Sequence, residues 1–243
     1  MTSKKKIIAV IPARGGSVRV PNKNIRDFLG KPMIQYTIET LISSQIFDHI
    51  FVSTDSLEIA NVARLSGAEV PFLRDESLSG PNTPTIDVII DALVKIQADD
   101  AEVCCVYATN PFLYKELLFL GLDVLRKEET SCYVTPVVKY SFPIQRSLVL
   151  KNNYLTINQP EFLYSRSQDL EDAYHESAQF WWANSSTWLS RLDMQSRIKG
   201  IIIPEWSQQD IDTPEDWELA EMKYKLLKNS KEWPIKAKNL RIN

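Results

Sequence analysis

Glycine is scarce in this chain, with seven in 243 residues, and histidine is scarcer, with His49 and His175 alone. With no H-E-x-x-H and no G-x-S-x-G pattern, hydrolysis built on histidine is poorly supported. Only three cysteines occur, Cys104, Cys105 and Cys132. They form no C-x-x-C or zinc spacing and lie in apolar, strand-like sequence, so they read as buried thiols of a protein in a reducing cytoplasm. No apolar stretch is long enough to span a bilayer and no signal-peptide-like region opens the chain, so no membrane partner is expected. Repeats and low-complexity tracts are absent. Hydrophobic residues at 44% and charged residues at 24% exclude wholesale disorder. The length suits one domain over residues 1–243, with room for an excursion.

What the chain does have is concentrated near its start. Ile7 to Ile11 reads as a short buried strand. It empties into a loop where Gly15, Gly16 and Ser17 are interleaved with Arg14, Arg19 and Lys23. Small residues let backbone N–H groups approach an anion, and the cations neutralise it, which is what a polyphosphate cradle needs. Neither G-x-x-x-x-G-K-[ST] nor G-x-G-x-x-G is present, so those families are not implied. In a glycine-poor chain the adjacent pair carries weight, although a basic loop after a strand also reads as a solvated turn.

The formal net charge is −3, but residues 1–31 hold eight cations against Asp27 alone, leaving twenty cations against thirty acids in the remainder. Positive charge gathered at one glycine-containing loop of an acidic protein points to a small anionic ligand, not to nucleic acid. Lys4 to Lys6 read as a solvated terminus.

Taken in order, the spacing predicts a helix over 31–46, a strand over 49–53 and a helix over 57–66 that Gly67 stops, with Ser53, Thr54 and Asp55 available as caps. A short strand over 69–73, a polar loop over 74–84 and a helix over 85–97 follow. The apolar run 102–107 then reads as a deeply buried strand, followed by a helix over 114–127 and a strand over 131–137. This alternation implies an α/β fold: a mostly parallel sheet with helices on both faces. Ligands bind at the carboxyl ends of such strands, so the first loop, Ser53-Thr54-Asp55 and Ala108-Thr109 should share one rim. Residues 138–178 lose the period and read as a β-rich excursion, with a hairpin around 151–153, that covers substrate or makes a dimer contact. The pattern resumes with a strand over 179–183, a helix over 187–192, a strand over 200–204, a helix over 214–228 and a basic surface tail.

A second feature is Gln209-Asp210-Ile211-Asp212-Thr213-Pro214-Glu215-Asp216-Trp217. In extended chain Asp210 and Asp212 project to one side and suit Mg²⁺, which takes one or two carboxylates plus phosphate oxygens. Thr213 and Pro214 equally mark a helix start, which accounts for Thr213 onward and leaves both aspartates without a capping role. An acidic cluster and a basic phosphate loop are complementary halves of a metal–nucleotide site. Arg74, at a strand end, reads as a surface charge or a ligand contact. Tyr107 and Thr109 read as core and cap residues or, from their rim position, as ligand contacts. Gln145, Arg146, Tyr164 and Arg166 offer polar and cationic groups suited to an acidic sugar, and Phe180-Trp181-Trp182 reads as core.

Ile-Pro-Ala-Arg-Gly-Gly-Ser, then Pro21-Asn22-Lys23-Asn24-Ile25, then Asp-Ile-Asp-Thr-Pro-Glu-Asp-Trp, together resemble the CMP-sialic acid synthetase family of cytidylyltransferases over nearly the whole chain. Tyr107-Ala108-Thr109, Phe142-Pro143-Ile144-Gln145-Arg146 and Gln179-Phe180-Trp181 most resemble the bacterial pseudaminic acid branch. The resemblance implies a nucleotide-diphospho-sugar transferase, Rossmann-like fold and a homodimer whose excursion reaches the partner's site. It implies CTP and an acidic nine-carbon sugar as substrates, with Mg²⁺ on Asp210 and Asp212. The nucleotide would meet Ala13, Arg14, Gly15, Gly16, Ser17, Lys23 and Arg74. Arg14, Arg19, Lys23 and Asp212 would carry the chemistry. The sugar side would comprise Asn24, Tyr107, Thr109, Gln145, Arg146, Tyr164, Arg166 and Gln179. Sialic, legionaminic and 3-deoxy-manno-octulosonic acids are rival acceptors, and a CTP-binding protein without turnover is a rival of another class. The chain departs from the family pattern at Val18, where members commonly have lysine; an apolar residue there leaves phosphate neutralisation to Arg19 or Lys23.

Overall fold

In β1 (Lys6–Pro12), Ile7, Ala9 and Ile11 pack to one side and Ile8 and Val10 to the other, all at most 6% exposed. A strand apolar on both faces needs cover on both, and the rest of the fold supplies it. The computed structural model describes residues 4–236 and 240–242. A two-rung hairpin, β2 (Asp27–Phe28) and β3 (Lys31–Pro32), leads into α1 (Met33–Ser44), followed by β4 (His49–Ser53), α2 (Leu57–Leu65), α3 (Thr85–Lys95) and β5 (Ala101–Val106). Then come α4 (Lys115–Lys127), β6 (Tyr133–Lys139), the hairpin β7 (Leu148–Lys151) and β8 (Tyr154–Ile157), β9 (Tyr174–Glu176) and β10 (Phe180–Asn184). The chain closes with α5 (Ser185–Leu189), β11 (Ile198–Ile202), α6 (Pro214–Lys228) and β12 (Arg241–Ile242).

The main sheet runs β12-β11-β6-β10-β5-β1-β4, with β9 on the far part of β6. β4, β1, β5, β6 and β11 are mutually parallel, whereas β10 lies antiparallel between β5 and β6. The mostly parallel sheet expected from the sequence is therefore present, with reversed strands at β9, β10 and β12. α1, α2 and α4 cover one face through residues such as Ile38, Ala60 and Leu118, and α3 and α5 cover the other through Ile89 and Trp188. Gly121 sets the closest approach: a Cβ there would come within 2.6 Å of Trp182, so only glycine lets α4 sit this low on β10.

Several local expectations are corrected. None of Ser53, Thr54 and Asp55 caps α2: the next residue, Ser56, accepts the Ile59 N–H, while Thr54 takes the Ser56 N–H and Asp55 is left for another task. Residues 69–73 make only a single bridge, Phe51 to Glu69, and form no strand. The short helix near 187 lies over Ser185–Leu189. The basic tail is not wholly superficial, because Ile235 is buried in the core and β12 pairs with β11; residues 237–239 and 243 lie outside the described residues.

The excursion leaves the sheet after Lys139 and returns at Tyr174, and these two residues are register partners on one rung between β6 and β9. Its hairpin turns through Asn152 and Asn153, both at positive φ, a conformation asparagine tolerates. Leu150, Tyr154, Leu155 and Tyr164 on this segment are exposed. Among the described residues, no helix is long and apolar enough to cross a membrane.

Candidate active site

Because β1, β4 and β5 are parallel neighbours, their carboxyl ends deliver three loops to one rim. The first loop is tied down by its own backbone. Ala13 N–H donates to the Ser53 carbonyl at 2.9 Å and Gly15 N–H to Asp55 Oδ1 at 2.9 Å. Asn24 Nδ2 donates to the Arg14 carbonyl at 2.9 Å. Ala13 is thus buried with its donor engaged, so its part is to anchor the loop. A Cβ on Gly15 would meet Ser56 Cβ at 3.1 Å, whereas Gly16 has open space on its side. The first glycine permits packing and the second leaves a backbone surface free for a ligand.

Two cations of this loop turn onto the second motif. Arg19 Nη2 lies 2.9 Å from Asp212 Oδ2, and Lys23 Nζ lies 3.5 Å from Asp212 Oδ1 and donates to the Ile211 carbonyl at 2.6 Å. Val18 is 87% exposed at the cavity mouth and contributes no charge. The helix-start reading of the motif also holds: Thr213 Oγ1 accepts the Asp216 N–H, and Asp216 accepts the Thr213 N–H. The cap reaches one residue further back than the sequence suggests, since Asp216 Oδ2 also accepts the Asp212 N–H at 3.1 Å. Asp210 keeps exposed surface, yet the protein around it and then Asp212 push its carboxyl above the ordinary aspartate value.

The third wall holds Arg74, Tyr107 and Thr109. The Arg74 side chain is 2% exposed, donates to Ser79 Oγ at 3.2 Å and faces Asp55 at 3.8 Å. Burial lowers its pKa and Asp55 partly restores it. Tyr107 is raised by burial, and its N–H is held by the Gln179 carbonyl. Arg14, Ser17, Arg19, Lys23, Arg74 and Asp212 thus line one cavity of about 260 Å³, with Asn24, Tyr107 and Thr109 at its edge. Four cations against one carboxylate suit a polyanion.

The expected sugar-side residues separate. Gln145 and Arg146 bond within the excursion, to the Glu171 carbonyl and Ser167 Oγ. Arg166 pairs with Asp169, and Tyr164 is 94% exposed. None of these four lines the cavity within one chain. Gln179 is 1% exposed and its Nε2 points to the Ser207 carbonyl at 3.4 Å. It braces the segment leading to Asp210 and does not reach the cavity, a consequence of β10 running backwards so that the residue entering it arrives buried at the rim. Sequence reasoning offers Asp55 only as a helix cap, and it does not show a second cavity of about 650 Å³ that shares Thr85 and Tyr107 with the first.

A family described as Cytidylyltransferase matches residues 8–222. This chain belongs to the cytidylyltransferase family. The cytidylyltransferase is 37% identical over 226 residues to the pseudaminic acid cytidylyltransferase of Campylobacter jejuni, covering 91% of this chain and 97% of that protein. It is 33% identical to the CMP-N,N'-diacetyllegionaminic acid synthase of Legionella pneumophila, covering 89% and 95%. Its fold is similar to that of CMP:2-keto-3-deoxy-manno-octonic acid synthetase complexed with CTP, with a TM-score of 0.68 at 19% identity and coverage of 90% and 98%.

Proposed function

We propose that this cytidylyltransferase transfers the cytidylyl group of CTP to a nine-carbon 2-keto acid sugar, pseudaminic acid foremost, with release of pyrophosphate. The observation that carries the reading is the meeting of the cationic loop with the second motif, Arg19 on Asp212 at 2.9 Å over one polar cavity. The similarity to the Campylobacter jejuni enzyme favours the acceptor.

The anomeric hydroxyl attacks the α-phosphorus, the bond to the β-phosphate oxygen breaks, and the hydroxyl proton is released. Such transfers run on positioning and charge neutralisation. Arg14, Arg19 and Lys23 neutralise the triphosphate, with the open Gly16 backbone and Ser17 completing the cradle. Arg74, fixed by burial, faces the cytidine end. Asp210 and Asp212 fit a divalent cation. Burial and Asp212 raise the Asp210 carboxyl, and among the described residues no cation lies within ion-pair distance of it. Mg²⁺ held there would neutralise phosphate charge.

The exposed apolar side chains of the excursion support a homodimer in which Gln145, Arg146, Tyr164 and Arg166 serve the partner's acceptor site. Sedimentation at equilibrium should give twice the chain mass. Three buried free thiols support a cytoplasmic working place.

The test is pyrophosphate release with CTP and Mg²⁺, offering pseudaminic, legionaminic and N-acetylneuraminic acids separately. Release with pseudaminic acid alone supports the full reading, and release with another acid overturns the acceptor. CTP binding without release from any acid would favour a binding protein, the reading that exposed Val18 supports.

A further inference from the structure

The second cavity has a different character from the first. It is lined by Tyr107, Trp181, Ile86 and Met194, with Glu176 among them. Arg191 borders it but is already paired with Asp87 at 2.5 Å, so its charge is spent, and Asp193 adds a second acid. An anion entering here meets net negative charge, whereas an anion entering the neighbouring cavity meets Arg14, Arg19, Lys23 and Arg74. The two spaces join at Thr85 and Tyr107.

An acceptor that carries a carboxylate on one side and amide groups on the other can therefore lie across the junction in one direction only. We infer that the cavity between Tyr107, Glu176, Trp181 and Met194 takes the acylamino half of the acceptor, with the Glu176 carboxylate accepting a hydrogen bond from an amide N–H. The acceptor carboxylate stays on the cationic side. This assignment rests on the acceptor class proposed above and names the side chain that discriminates within it.

The lining explains why an amide is preferred to a hydroxyl. An amide N–H presents one donor with an acyl methyl beside it, and a carboxylate with acceptor capacity to spare, in a cavity also lined by an indole and a thioether side chain, matches that pair. A sugar bearing only hydroxyls would bring further donors and acceptors against apolar walls that leave them unpaired, which is the stronger form of discrimination. Trp181 hydrogen-bonds to the Glu176 carboxylate, and the exposed surface that Glu176 keeps leaves acceptor positions for a ligand donor. Among the described residues no cation forms an ion pair with it. It is positioned by β9, whose pairing with β6 sets Glu176 opposite Val137.

The experiment measures kcat and KM for a diacylamino nine-carbon 2-keto acid, and the KM or, without turnover, the competitive inhibition constant of 3-deoxy-manno-octulosonate, which has hydroxyls in place of the acylamino groups, in wild type, Glu176→Gln and Gln195→Trp. CTP affinity is followed alongside by calorimetry. Glu176→Gln replaces a charge-assisted hydrogen bond by a neutral one and should raise the diacylamino KM by about tenfold or more. It should leave CTP affinity and the 3-deoxy-manno-octulosonate parameters unchanged. Gln195 is exposed at the cavity edge, so Gln195→Trp narrows the cavity without disturbing the core, and it should produce the same split even if Glu176→Gln folds poorly. An unchanged diacylamino KM in both variants, or an equal loss with both acceptors, overturns the assignment. Wild-type silence with every 2-keto acid overturns the proposed function itself, and the subsite with it.

Discussion

The backbone N–H of Gly15 donates to the Asp55 carboxylate at 2.9 Å, joining the loop after β1 to the loop after β4. The same oxygen faces the Arg74 guanidinium at 3.8 Å. One carboxylate thus fixes the glycine loop and steadies a buried cation. Asp55→Ala removes both contacts. Hydrogen bonds to charged groups contribute about 1.5–3 kcal/mol, equivalent to about ten- to hundredfold weaker CTP binding. Asp55→Asn keeps an acceptor for Gly15 and should lose less. Calorimetric titration distinguishes them; equal losses would mean that the charge facing Arg74, not the hydrogen bond, organises the loop.

Asp212 occupies both Arg19 and Lys23. Asp212→Ala should lower Mg²⁺-dependent pyrophosphate release by about a hundredfold or more, the scale of a lost metal-held charge. Freed from their partner, Arg19 and Lys23 should bind CTP at least as well in the presence of EDTA. Undiminished Mg²⁺-dependent turnover would remove Asp212 from metal binding.

Val18 is exposed at the cavity mouth, so Val18→Lys adds a cation without disturbing packing. An exposed charge of this kind contributes up to about 1 kcal/mol, or about two- to fivefold tighter CTP binding at low salt. The gain should shrink as ionic strength rises. Binding that ignores both the substitution and the salt would mean that the triphosphate lies away from residue 18.

The capping box of α6 predicts a stability effect. Thr213→Ala should cost about 1 kcal/mol in urea denaturation. Burial alone would raise the Asp216 carboxyl, but the N–H groups of Asp212 and Thr213 and the Thr213 hydroxyl outweigh it and hold the pKa below the ordinary value. A depressed carboxylate stabilises the fold above its unfolded pKa and ceases to do so as pH falls through the lower folded pKa. Asp216→Asn should therefore destabilise the protein at pH 7 and lose that effect in acid, below about pH 3.9. A penalty that is constant with pH would contradict this.

Much of the fold is legible in the sequence because its elements carry their own signals. The two-sided apolar run of β1 and the Thr213-Pro214 start of α6 are local facts, and both lie where the pattern puts them. The direction of β10 is not local. Phe180, Trp182 and their neighbours are apolar whichever way the strand runs, and only the path of the excursion makes it antiparallel. Ser53, Thr54, Asp55 and Ser56 are four consecutive cap formers, so composition could not tell which would cap α2 and which would hold Gly15. The second cavity was invisible for a related reason. Thr85, Tyr107, Glu176, Trp181 and Arg191 come from five separate stretches, and nothing in their spacing announces that they meet.

The pairing of Lys139 with Tyr174 gives the excursion the architecture of a cassette. Its exit and its re-entry share one rung of the sheet, so residues 140–173 can be exchanged for a short turn or for the corresponding segment of a relative without moving the strands that carry the cationic cavity. Recombination at these two points would let the excursion diverge while the cationic rim is inherited intact.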